Sequence, residues 1–323
     1  MKHKKLFAFT LASTLLLGGC SSIPQEKGKD VVASIQQQNI LADDLYTQLS
    51  QSTAGKNALF SLVMDQLIAA HFPATKDMEM NADELVENIK TQFKNQYGDK
   101  ADEELEKALS NDNFKNIDEY KKSLIYSLQM TEFLKDYVKK NYDDVFEDYY
   151  KNANPRYISL IKVQMINPEK PSRDESAKLK EIQSLIKTDK SFESIASEYS
   201  DDTTKTAHGK LGIVDNTSHI DQIYGEEVKE AALELKENKT SKPIQVQDGV
   251  IILHCSSMDK AKMKKELKTI DIESPLLTYD PYLVYFAFQQ YDLEYEDKDI
   301  QKTIEKIIKE SLEARKELRG GKA

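Results

Sequence analysis

The chain has 323 residues, with 45 basic against 55 acidic side chains and a formal net charge of −10. Such a surface repels nucleic acid and anionic lipid headgroups. With no zinc spacing, phosphate loop or basic stripe in the sequence, nucleic-acid and nucleotide binding are set aside. Residues 1–20 read as an address. Met1-Lys2-His3-Lys4-Lys5 is a basic n-region, and Leu6 to Leu17 is apolar but too short to stay in a bilayer as a spanning helix. Leu17-Gly18-Gly19-Cys20 has the form of a bacterial lipobox, in which small residues admit the peptidase and the Cys20 thiol takes a diacylglyceryl group. The competing reading, an ordinary secretory signal with an incidental cysteine, leaves that coincidence unexplained. Two acyl chains at about 0.8 kcal/mol per buried methylene give stable anchoring. Residues 21–29 then form a tether. Cys255 is the one other cysteine, so a lipidated Cys20 leaves no intrachain disulfide. Next to Ile251-Ile252-Leu253, Cys255 reads as a small core hydrophobe.

Residues 30–154 are expected to be mainly helical, after a short strand at Val31 to Ile35. A helix begins at Ala42, with Gly55 as a break. Leu59, Leu62, Val63, Leu67 and Ala70 share one face before Pro73. Asn81-Ala82-Asp83-Glu84 resembles a capping box opening a helix that carries Leu85, Ile89, Phe93 and Tyr97 inward and closes at Gly98. Asp118 can cap a long helix with Tyr120, Leu124, Leu128, Leu134 and Val138 on its inner side. A shorter one from Asp143 to Asn152 leads to Pro155 without a long linker.

Residues 155–257 follow a strand, helix, short helix, glycine turn, helix, strand order. The opening run is Arg156-Tyr157-Ile158-Ser159-Leu160-Ile161-Lys162-Val163, and the closing run is Gly249-Val250-Ile251-Ile252-Leu253. Between them stand Phe192-Glu193-Ser194-Ile195-Ala196-Ser197-Glu198-Tyr199-Ser200-Asp201-Asp202, Gly209-Lys210-Leu211-Gly212 and Ser241-Lys242-Pro243-Ile244. These phrases resemble the parvulin family of peptidyl-prolyl isomerases. In this setting the chain resembles the PrsA-type foldase lipoproteins, related to proteinase-maturation lipoproteins. The resemblance implies an α+β architecture: a parvulin-like domain, a small antiparallel sheet with surrounding helices, inserted between N- and C-terminal helical segments that form one chaperone domain. Residues 258–323 return to that domain. Asp259 to Leu267 reads as charged and solvated. Tyr282 to Tyr291 is the most aromatic stretch, read as packing against the N-terminal helices in preference to a client surface. Asp297 or Asp299 caps a last helix with Ile300, Ile304, Ile307, Ile308 and Leu312 inside.

Prolyl isomerisation needs no nucleophile, metal or cofactor, because the barrier is amide resonance, about 18–20 kcal/mol. Active parvulins, as the resemblance implies, use an apolar proline pocket, two histidines and a nearby aspartate or cysteine. Asp202 stands at the aspartate position. Counting from Arg156 puts Ser159 at the first histidine position, and Ile251 occupies the second. His254 alternates away from the face of Ile251. His208, near Asp202, is the remaining imidazole candidate. Ile213-Val214 stand where the family commonly carries an aromatic pair, and Ile220, Val228 and Leu233 fill further pocket positions. The expected function is a foldase or chaperone on the outer face of the cytoplasmic membrane. It would be lipid-anchored at Cys20, act on unfolded or newly secreted proteins, and carry a weak or inactive parvulin module. No cofactor, metal or nucleic acid is expected, and homodimerisation stays open. The alternatives are an active isomerase using Asp202, Ser159 and His208, and a solute-binding lipoprotein, which would need two α/β lobes.

Overall fold

The computed structural model describes residues 23–36, 38–272 and 274–320, so the leader and Cys20 lie outside the described residues. An antiparallel meander of β1 (Gln25–Glu26), β2 (Lys29–Ile35) and β3 (Gln38–Leu41) comes first. Helices α1 (Ala42–Gln51), α2 (Thr53–His71), α3 (Lys76–Tyr97), α4 (Ala101–Asn111), α5 (Ile117–Lys140) and α6 (Tyr142–Ala153) follow.

The chain breaks at Ser52, and Gly55 lies inside α2. The Ser52 hydroxyl accepts from the Gly55 amide and caps that helix. Thr75 caps α3, so residues 81–84 are mid-helix rather than its start, and Asn116 rather than Asp118 caps α5. The inner face of α3 is also displaced from the expected one. Ala82 and Val86 are buried, while Leu85 and Tyr97 are 46% and 40% exposed. Leu62 likewise points outward from α2 at 62% exposure. Gly98 does end α3, with the positive φ of 58° that favours glycine there.

The second half begins with β4 (Arg156–Gln164), α7 (Arg173–Leu185), α8 (Phe192–Tyr199) and β5 (Lys210–Val214). Next come α9 (Asp221–Tyr224), α10 (Glu226–Glu234), β6 (Lys239–Thr240), β7 (Ile244–Val246) and β8 (Gly249–Ser257). The strands form one antiparallel sheet in the order β5-β4-β8-β6, with β7 also paired to β8. Ser172 and Glu175 close a reciprocal capping box at α7. At Gly209, φ is +74° and an added Cβ would lie 2.4 Å from the Leu160 carbonyl oxygen, so a side chain is excluded where the loop meets β4.

The chain then returns through α11 (Lys260–Glu266), α12 (Leu283–Phe288) and α13 (Lys298–Leu318), the last capped by Asp297. Phe288, Ile304, Ile307 and Ile308 share a core with Met64, Leu67, Ile68 and Phe133, so first and last helices form one body. The aromatic stretch is part of this packing: Phe60 lies 5.3 Å from Tyr285 and 5.2 Å from Phe288, centroid to centroid. Helix α11 is not simply solvated, because Met263 and the following Leu267 are buried beside Phe146 and Tyr149.

Body and sheet are joined directly. Helix α6 runs into β4 through Asn154, at φ 55°, and Pro155. Tyr157 and Ile213 of the sheet pack on the core of α6. The buried Tyr149 hydroxyl donates to Asp215 Oδ2 at 2.7 Å. One residue before Tyr149 on α6, Asp148, with the buried Asp280, holds Arg315 and Arg319 of the last helix and its end in four ion pairs of 2.6–2.9 Å.

Candidate functional site

The five-stranded sheet has two different faces, set by strand alternation. Ile161, Val163, Val250 and Ile252 turn to one side, under Ile182 of α7 and Phe192, Ile195 and Ala196 of α8. Ile158, Leu160, Ile251, Leu253 and Cys255 turn to the other, under Val228 and Ala232 of α10. On this second side a cleft of ≈ 880 Å³ opens between Asp221–Glu227 and residues 245–248, with Lys162 on its wall. Lys162 is the cross-strand partner of Ile251, and its Nζ lies 2.7 Å from Asp248.

Asp202 reaches the same side. The segment before it is fastened to β4: the Asp201 amide donates to the Lys162 carbonyl at 2.8 Å, and the Lys162 amide donates to Ser200 Oγ at 3.1 Å. Asp202 Oδ1 accepts from the amide and hydroxyl of Thr204, at 2.9 and 2.7 Å, capping the turn of residues 203–207. It also accepts from the Tyr224 hydroxyl at 3.3 Å. Burial, reinforced by the Asp202 charge and this bond, pushes the Tyr224 phenol up to about 12. Tyr224 packs against the core of the second face and lines the cleft with Ile223 and Val246. The sequence reading missed Tyr224. The available signal was an aromatic residue directly before Gly225, at the end of the segment that follows Ile220.

The proposed site residues separate. Ser159 pairs in register with His254, and cross-strand partners share a face. His254 stacks on Phe192, centroids 5.1 Å apart, beneath α8. Ser159 therefore lies on the side opposite Ile251, Asp202 and Tyr224, which removes it from a site built around them. Leu160, not Ser159, occupies the cleft side of β4. Burial holds the His254 imidazole below its usual range, while the Glu193 charge and the Lys239 backbone oppose this. Its Nδ1 is 3.1 Å from Thr240 Oγ1. His208 is exposed at φ 57°, and among the described residues no hydrogen bond joins its ring to Asp202.

The expected pocket residues divide as well. Val214, Val228 and Ile251 are 0–1% exposed and form the core beneath the cleft, so a bound peptide would not touch them. Ile220 packs at the edge of that core. Ile213 points away, into the core of α6, and Leu233 is outside the second-face cluster, where Leu235 packs instead. The Cys255 thiol is buried, which pushes its pKa up and disfavours a nucleophilic role. The cleft is thus lined by the carboxylates of Asp221, Glu226, Glu227 and Asp248, the Tyr224 phenol that reaches Asp202, and the ion-paired Lys162 ammonium, with Ile223 and Val246 as its apolar groups. Among the described residues, no group of three or more His, Cys, Asp or Glu side chains could hold a metal ion. No helix there is long and apolar enough to cross a membrane.

Residues 160–257 match the Rotamase family model, a PPIC-type PPIASE domain. The chain is 26% identical over 310 residues to Foldase protein PrsA of Bacillus subtilis (strain 168), covering 94% of each chain. Identity to Foldase protein PrsA of Staphylococcus epidermidis is 26% over 315 residues, covering 94% of this chain and 91% of the relative. The crystal structure of PrsA from Bacillus subtilis matches with a TM-score of 0.42 at 26% identity, covering 86% of this chain and 98% of that one. The chain thus carries a PPIC-type parvulin domain flanked by helical segments, and PrsA foldases are its homologues along nearly its whole length.

Proposed function

We propose that this homologue of the PrsA foldases is a lipid-anchored chaperone at the outer face of the cytoplasmic membrane. Its parvulin module would hold extended polypeptide and isomerise prolyl bonds weakly or not at all. The observation that carries this reading is the cleft beside Asp202 and Tyr224, which is lined by Ile223, Tyr224 and Val246 but by no imidazole. Exported chains that emerge unfolded aggregate through apolar segments, so a weak, reversible holder has a physical use. The domain limits proposed with it are 30–154, 155–257 and 258–323.

Two-dimensional exchange spectroscopy on an X–Pro peptide tests the isomerase part. The expected spectrum shows no added exchange at catalytic protein concentration, and rapid turnover would refute this part. Replacing Cys20→Ala should move the protein from the membrane fraction to the soluble one, and unchanged fractionation would refute the anchor. A second reading, an atypical isomerase, rests on the Tyr224 hydroxyl and Asp202 meeting at 3.3 Å above an apolar core. The same exchange experiment separates the two.

A further inference from the structure

A second cleft, of ≈ 950 Å³, lies where the sheet meets the helical body, across the Lys229–Asp221 ion pair from the parvulin cleft. Ile213 and Asp215 to Ser218 form one wall, and the stretch from Leu267 to Pro275 forms the other. Ser274, on the body side, is 4% exposed, and its Oγ has no hydrogen-bond partner. Burying a hydroxyl unpaired costs about 1–3 kcal/mol, and a ligand that supplied a partner would recover it.

Three further observations define that ligand. First, β5 ends the sheet order, so its outer edge is unpaired among the described strands, and Ile213 on it lines the cleft. An unpaired strand edge is a template for another backbone. Second, of the ionisable lining groups Asp215, Lys229, Glu266, His219 and Asp271, the first three have side-chain partners within the protein. Asp215 takes Tyr149, Thr217 and Ser218, Lys229 lies 3.1 Å from Asp221, and Glu266 takes the Tyr157 hydroxyl at 2.6 Å. Those three groups place no demand for a charged ligand. Third, the unpartnered Ser274 hydroxyl can serve a peptide N–H or carbonyl, while the Thr217 and Ser218 hydroxyls, which already donate to Asp215, can only accept, beside the apolar Ile213 and Leu267.

We infer that this junction binds an extended, uncharged polypeptide segment of a client, laid along the outer edge of β5 with Ser274 serving one of its peptide groups. The inference rests on the holding function proposed above and moves the main grip from the parvulin face to the joint between modules.

Fluorescence anisotropy of a labelled short peptide of alternating valine and threonine, with a terminal lysine for solubility, tests it on the full chain. Light scattering of a chemically unfolded protein diluted into buffer is measured in parallel. Ser274→Ala should weaken peptide binding about threefold to tenfold, the equivalent of one neutral hydrogen bond. Thr278 is exposed at the cleft, so Thr278→Trp should fold and block it, abolishing peptide binding and reducing aggregation suppression. The chain has no tryptophan, so this indole also reports the local fold. Met80→Ser on α3, at a residue 61% exposed, should change neither readout. If both cleft variants bind like the unaltered chain, or if Tyr224→Ala alone abolishes binding, the inference falls while the holding function stands. If the unaltered chain neither binds peptide nor suppresses aggregation, both fall.

Discussion

The two faces of the five-stranded sheet are made of the same alternating strands but are finished differently. The side under α7 and α8 is closed: Phe192, Ile195 and Ala196 seal it, and its imidazole, His254, is stacked and half-buried. The side under α10 is only partly covered, leaving Lys162, Ile223 and Tyr224 around an open cleft. The imidazole has gone to the sealed side and accessibility to the other. A site needs both on one side, and the separation gives a physical ground for expecting slow isomerisation.

The largest test of this contrast is Phe192→Ala. Removing a sealing ring that is 6% exposed should cost about 3–5 kcal/mol in urea unfolding. A loss near zero would mean that the first face is not the closed one. The pH dependence comes next. The His254 pKa is lowered on folding, so the unfolded chain takes up that proton more readily. Its contribution to stability is therefore complete above the unfolded value of about 6.5 and declines as the pH falls through the folded one. His254→Gln should flatten that part of the profile, and an unchanged slope would place the ring in solvent. Tyr224→Phe should lose about 0.5–1.5 kcal/mol at most, since its bond to Asp202 is long and partly exposed, with peptide affinity as the more sensitive readout. Smallest of all, Ser159→Ala should leave peptide binding unchanged, because Ser159 faces α8. A marked loss would return that residue to the cleft.

The order of strands and helices was legible because period-two runs, glycines and caps punctuate the chain. Asp297, one of the two aspartates read as its cap, opens the last helix, and Ile304, Ile307 and Ile308 turned inward as their spacing required. Which residues of β4 and β8 stand opposite one another was not legible. β4 alternates without interruption, the extra residues Leu211 and Ser256 lie in its partner strands, and the ladder sets Ser159 against His254 and Lys162 against Ile251. Counting from Arg156 could not supply that register, so Ser159 was assigned to a site that Leu160 and Lys162 border. Tyr224 escaped for another reason: the segment after Val214 is irregular, and spacing gives no guide to which ring folds back. In α3, Leu85 and Ala82 differ in size but not in periodic fit, and only the neighbouring helices decide which turns inward.

The ionic clasp between α6 and the end of α13 bears on the order of assembly. Asp148 and Asp280 receive their guanidinium partners from Arg315 and Arg319, among the last residues described. A chain delivered from its amino end would complete the inserted sheet while the stem helix still lacked its counter-charges. Final locking of the body would then wait on the arrival of the carboxyl end, and a truncation before Arg315 should yield a folded sheet on a loosened support.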